Sequence, residues 1–160
     1  CRLAEVDRLY TDYDLAGIRA RALDPMPRVP PRFGRGIAGV AVWCVGLCGE
    51  SIADSQLLRF KRDPRNQGAV CDVGLWGWSR HPNYFFEWLH WVGWAIIAFS
   101  SPYGWIAIFV PVFLFTLLFK VTGIPETEAQ SLRSRGDDYR RYQQEVSVFV
   151  PLPPRRRAPA

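Results

Sequence analysis

Apolar residues along the chain gather into three blocks separated by polar, turn-forming stretches. The first, Gly36 to Ala53, is rich in small residues and uncharged from Ile37 to Leu47, and it predicts a hydrophobic helix. The second, Tyr84 to Phe99, contains one acid, Glu87, and one histidine, His90. The third, Pro102 to Thr122, carries only Lys120. A bilayer core calls for about 20 apolar residues at 1.5 Å each, so the third block spans on its own and the second spans with its flanks.

The intervening polar stretches supply the connections. Asp63 to Val73 opens with Asp-Pro-Arg-Asn-Gln-Gly and predicts a turn-rich connector. Ser100 to Gly104 is short and uncharged, as expected of a tight hairpin between two spans. Thr122-Gly123-Ile124-Pro125 breaks the third helix. Glu126 to Val146 then predicts a polar helix, with Asp137 and Arg141 paired one turn apart. Val148-Phe149-Val150-Pro151 is a short apolar plug before the basic end. The fold expected is all-α: an integral membrane helix bundle of about three transmembrane helices plus a cytoplasmic C-terminal helix, a fragment of a larger bundle.

One junction concentrates the polar chemistry. Gly74 to Glu87 sets a basic turn, Ser79-Arg80-His81, directly against the start of the second apolar block. Pro82 closes that turn, because it biases His81 away from helical geometry and suits the first helical position. Asn83, Glu87, His90 or Trp91, and Trp94 then share one helical face.

Composition adds orientation. The chain has 160 residues, 49% of them hydrophobic, and a formal net charge of +5. Five Arg or Lys lie between Arg59 and Arg80, none in the hairpin and eight from Lys120 onward. This places the central loop and the C-terminus in the cytoplasm. The domain division expected is a poorly determined Arg- and Pro-rich tail at 1–35, a membrane domain at 36–154 and a basic tail at 155–160. A short helix near Leu3 to Leu23 is expected within that tail. Arg155, Arg156 and Arg157 suit anionic headgroups rather than nucleic acid, since no nucleic-acid motif accompanies them. Trp76, Trp78, Trp88 and Trp105 are expected as interfacial anchors. Cys44 and Cys48 stand one turn apart without further ligands, so they read as apolar filler and no metal is expected.

No dinucleotide fingerprint, Walker loop, zinc-protease helix or nucleophile elbow occurs. The candidate site is instead the polar set Asp54, Arg59, Lys61, Arg80, His81, Asn83 and Glu87, with Glu50 beside it. Glu128, Tyr139 and Arg140 return to it from the C-terminal helix. Carboxylates at membrane depth need partners or a wet cavity. Basic groups beside carboxylates and an amide suit a ligand with phosphates and hydroxyl or carboxamide groups, and an apolar second substrate would arrive through the lipid bilayer.

Ala53-Asp54-Ser55-Gln56, Gly74-Leu75-Trp76, Ser79-Arg80-His81-Pro82-Asn83-Tyr84-Phe85-x-Glu87, Gly123-Ile124-Pro125 and Tyr139-x-x-Tyr142 to Phe149-x-Pro151 resemble the steroid 5α-reductase superfamily, in particular its bacterial branch of uncharacterised integral-membrane proteins. The resemblance covers Gly36 to Pro154. It implies reduction of a conjugated carbon–carbon double bond in a lipid-like enone by NADPH, with Asp54, Asn83 and Glu87 contacting the cofactor and Arg59 and Lys61 near its phosphates. Phe86 stands where the family usually has Gly. The family's substrate-activating acid and tyrosine lie on N-terminal helices that nothing in Cys1 to Arg35 matches, so no catalytic residue is assigned. Isoprenylcysteine carboxyl methyltransferases share an Arg-His-Pro-x-Tyr turn and bind S-adenosylmethionine, which makes a membrane methyltransferase the alternative. A non-catalytic membrane binding module is the third reading.

Overall fold

The computed structural model describes residues 31–121 and 123–155. The expectations for the tail at 1–35, apart from its last residues, and for the end of the basic tail lie outside the described residues. Among those residues the protein is all-helical, with a lone parallel bridge between Ser79 and Ser147 and no strand.

Helix α1 runs Pro31–Arg62, longer at both ends than the apolar block predicts. Between Gly49 and Pro64 no glycine or proline interrupts, and Leu, Gln, Lys and Arg are good helix formers. Polarity alone therefore does not stop the helix at Ala53. Arg59 and Lys61 consequently sit on this helix along with Asp54, and not beyond its end. Asp63 caps the following 3₁₀ turn, Pro64–Asn66, through a bond from the Arg65 amide at 3.0 Å. A second 3₁₀ turn, Gly74–Gly77, leads to α2, Pro82–Ala98, with Pro82 at its first turn as expected.

The hairpin is followed by a 3₁₀ turn, Gly104–Ile108, and then α3, Phe109–Lys120. The helix expected from Pro102 thus begins later. Pro111 lacks an amide hydrogen and clashes with a carbonyl four residues back, so α-helical bonding cannot extend upstream of its own first turn. Helix α4, Ile124–Glu145, is polar and bends at Gly136, whose φ of 53° an L side chain rarely adopts.

Two helical stretches, Gly34–Arg62 and Gly104–Glu145, are long and apolar enough to cross a membrane. In the second, the apolar part ends at Lys120 and Val121, because charged residues recur in nearly every turn from Glu126 onward. Ile37, Val45 and Ile52 on α1 and Val112 and Phe113 on α3 are exposed. Such a continuous outward apolar surface suits lipid rather than water.

Glycines set the α1–α2 seam. A Cβ at Gly46 would lie 2.6 Å from the His90 amide nitrogen, one at Gly93 would lie 2.6 Å from that of Trp43, and one at Gly39 would strike Ile97. Close backbone approach through small residues is how helices gain packing energy in lipid, where no hydrophobic drive acts between them.

The plug predicted at Val148–Pro151 is real. Phe149 is buried with Leu118 and Ile124, and its ring lies 5.5 Å from Phe85, 5.2 Å from Phe119 and 6.0 Å from Trp88. It thereby ties α2, α3 and the start of α4 together. A second cluster, Tyr139, Tyr142 and Val146, packs on Val70 and Leu132.

Candidate functional site

The turn before α2 is held by backbone and buried polar bonds from both ends of the chain. Leu75 N donates to Gln56 Oε1 at 2.9 Å and Trp76 Nε1 donates to the Ala53 carbonyl at 2.9 Å, anchoring it to α1. From the other side, Tyr142 donates its hydroxyl to the Trp76 carbonyl. Ser79, fully buried, donates to the Phe149 carbonyl at 2.7 Å and accepts from the His81 amide at 3.1 Å. The Arg80 amide donates to the Ser147 carbonyl, and the Leu152 amide to that of Trp78. Trp76 is therefore a buried strut and not the interfacial anchor expected. Trp88 likewise spends its Nε1 on the Pro111 carbonyl, while Trp78 and Trp105 remain exposed.

Glu128 is the electrostatic centre of this region. Its Oε1 lies 2.9 Å from Arg80 Nε and 3.2 Å from His81 Nε2. The Arg80 Nε–H is not aimed along its contact, so that pair is an ion pair rather than a directed hydrogen bond. Tyr139 donates to the same oxygen at 3.3 Å, and Gln143 donates to Oε2. Burial pushes the Glu128 carboxyl up, but the bonds from His81 and Gln143 and the charge of Arg80 outweigh it and hold the group below its ordinary value. Burial, with the Glu128 charge, pushes Tyr139 up to about 12, so at neutral pH its hydroxyl is a donor. Arg80 also donates to the Gln143 carbonyl at 2.8 Å, and His81 stacks on Tyr84 at 5.4 Å.

A cavity of about 390 Å³ opens beside this hub. Lys61, Arg80, His81, Asn83 and Tyr139 all line it, together with Arg135, Ser131 and Ser134. Lys61 makes no ion pair among the described residues. Arg135 bonds only neutral oxygens, Ala69 O at 2.9 Å and Ser131 Oγ. The charge of Arg80 is committed to Glu128, which also engages the His81 ring, so Lys61 and Arg135 are the cations left to face an anion. Cys71 also lines the cavity, and burial pushes its thiol up, which keeps it protonated and a poor nucleophile at neutral pH.

The remaining candidates fall elsewhere. Asp54 and Arg59 are exposed and line no part of the cavity, and neither does Glu87. Glu87, Asp54 and His90 lie within electrostatic reach of Glu50 along the α1–α2 seam, so the acids form a second group deeper along the helices. Arg140 pairs with Asp137 at 3.0 Å on the surface, and Arg141 pairs with Asp138. The expected Asp137–Arg141 pair is thus replaced by two pairs at three-residue spacing. Arg135, Ser131 and Ser134 escaped the sequence reading. Their signal is the recurrence of Glu128, Ser131, Arg135, Tyr139 and Tyr142 at three and four residues, a single helical face.

A larger cleft, about 700 Å³, lies on the far side of Tyr142. None of the sequence-predicted site residues lines it, and its Arg141 is already paired with Asp138. The smaller cavity is the better candidate site.

Residues 30–146 fit the sequence model of a family described as protein of unknown function, DUF1295. No curated protein and no solved structure matches the chain.

Proposed function

The chain belongs to the DUF1295 family, and on that premise we propose that it is a membrane-embedded reductase that uses NADPH to saturate a conjugated carbon–carbon double bond in a steroid-like or other lipid enone. The supporting observation is the cavity where Lys61 and Arg135 face open space beside the serine hydroxyls and Asn83. Two cations without a carboxylate partner, set among neutral donors and acceptors, match a polyphosphate and its sugar. The donor set therefore fits NADPH, a cofactor that supplies a hydride to the β-carbon of an enone. The resemblance of the Ser79–Glu87 stretch to the steroid 5α-reductase superfamily, with which this family is associated, favours that cofactor over S-adenosylmethionine.

This chain's own residues would divide the work. Lys61 and Arg135 hold phosphate, and Glu128 keeps Arg80 and His81 oriented at the cavity wall. Asn83, which lines the cavity at the start of α2, would hold the reactive end of the cofactor, while Glu87, one turn on, lies outside the cavity. The orientation that follows from the positive-inside pattern puts the cavity on the cytoplasmic face, where NADPH is found.

The test is thermal unfolding of detergent-solubilised protein with NADPH, NADH or S-adenosylmethionine. NADPH raises the melting temperature more than NADH does, and Lys61→Ala or Asn83→Ala removes the gain. Stabilisation by S-adenosylmethionine alone would replace this reading with a methyltransferase. Indifference to all three would leave a non-catalytic binding module.

A further inference from the structure

Two cavities outside the candidate site share a wall. One is the cleft of about 700 Å³ beyond Tyr142, and the other is a groove of about 500 Å³ along α1. Gly74 and Trp78 line both. Their chemistry is opposite: the cleft is lined by the charged residues Asp72, Asp138, Arg141, Glu145 and Arg155, whereas Val45, Ile52, Leu75 and Phe86 wall the groove.

The sequence builds the groove on one helical face. Val45, Cys48, Ile52 and Gln56 recur at three- and four-residue spacing. They rise through roughly 16 Å, about half of a 30 Å hydrocarbon layer, so the groove has the depth of one leaflet. Its Gln56 end meets the loop, where Gln56 Oε1 accepts from the Leu75 amide at 2.9 Å. Its Val45 end lies inside the apolar block. Gly49 makes room for the Phe86 ring, which a Cβ there would strike. Val45, Ile52 and, at the junction with the cleft, Trp78 are all exposed.

The charges of the cleft do not cancel. Arg141 is spent on Asp138, while Asp72, Glu145 and Arg155 form no ion pair among the described residues. The Arg155 amide donates to the Glu145 carbonyl at 2.9 Å and the Leu152 amide to that of Trp78 at 3.0 Å, which pins the segment after the plug along the cleft. Two carboxylates and one guanidinium are therefore held open to solvent beside an apolar groove. A soluble ligand would leave the groove unfilled, and a hydrocarbon would leave the charges unmet. An amphiphile satisfies both, and Trp at the junction is the residue type that sits at headgroup level.

We propose that the joined cavities bind a phospholipid with a primary-ammonium headgroup. The ammonium donates to Asp72 and Glu145, the phosphate faces Arg155, and one acyl chain passes Trp78 to lie along the groove from Ile52 to Val45. Two free acids against one free base make an ammonium, and not an anionic headgroup, the complement of the cleft. This site lies across Tyr142 from the proposed NADPH cavity and does not rest on that reading.

Native mass spectrometry of the maltoside-solubilised protein tests the site. Palmitoyl-oleoyl phosphatidylethanolamine, phosphatidylcholine and phosphatidylglycerol are added singly at equal concentration. Phosphatidylethanolamine gives the highest occupancy of the one-lipid adduct. Phosphatidylcholine keeps the charge but has no N–H to donate, and phosphatidylglycerol has no cation, so both bind more weakly. Asp72→Asn combined with Glu145→Gln lowers phosphatidylethanolamine affinity about fivefold, the order of an exposed ion pair, and removes the preference. Ile52→Trp, which fills the groove, lowers occupancy by all three lipids. Lys61→Ala, in the other cavity, changes none of them. All four positions are exposed, and unchanged thermal unfolding of each variant confirms its fold. Phosphatidylcholine or phosphatidylglycerol binding as tightly as phosphatidylethanolamine overturns the proposal, as does a preference that survives the double substitution or full occupancy in Ile52→Trp. Loss of the adduct in Lys61→Ala would move the lipid to the cofactor cavity and overturn it too. Failure of NADPH to stabilise the protein removes the reductase reading alone.

Discussion

Arg80 and Glu128, brought together from the turn before α2 and the second turn of α4, form an ion pair at 2.9 Å with side chains only 11% and 14% exposed. Removing one member of such a pair leaves the other charge without compensation. Glu128→Ala is therefore expected to destabilise the protein by about 3 kcal/mol, measured as a drop in unfolding free energy in detergent. A loss near zero would show that water reaches Arg80 and that Glu128 is not the hub described.

The same carboxylate predicts a pH dependence. Its folded-state pKa is held below the ordinary value, so the stability it contributes is complete above the usual carboxylate range and is lost as pH falls through the folded value. Thermal unfolding of the wild type should fall through that acid window, and Glu128→Gln, which does not titrate, should lack that part of the slope. Parallel slopes would contradict the assignment.

Gly46 faces the His90 backbone so closely that a methyl group would lie 2.6 Å from its nitrogen. Gly46→Ala must push α1 and α2 apart, at a cost of about 1–3 kcal/mol from overpacking. Gly36, where a Cβ meets nothing within 4 Å, is the control, and Gly36→Ala should leave the unfolding temperature unchanged or slightly raised.

Phe149 closes the aromatic cluster from the far end of the chain. Phe149→Ala should cost about 3–5 kcal/mol, as large-to-small core changes do. It should also loosen the Ser79 turn, which bonds the Phe149 carbonyl. Hydrogen exchange at the His81 amide, bonded to Ser79 Oγ, is the local readout, and unchanged protection there would separate the plug from the turn.

The amino-acid order by itself determined the helical class, the three apolar blocks, the start of α2 at Pro82, the break at Gly123 and the apolar plug around Phe149. Each follows from a local cause: the length of an uncharged run, the missing amide of proline, the freedom of glycine. Local causes also misled. Charge after Ala53 suggested that α1 ended there, although Arg and Lys are good helix formers. What only the tertiary structure decided is which polar groups meet. Glu128 joins Arg80 and His81 across nearly fifty residues of chain, and α4 offers both Arg135 and Tyr139 to the cavity. The single candidate set separates into a cationic cavity lined by Lys61, Arg80, His81, Asn83 and Tyr139 and an acidic seam holding Glu87 and Asp54, with Arg59 outside the cavity. Charge composition cannot specify such a division, because a side chain's partner depends on how the helices cross and not on its neighbours in sequence.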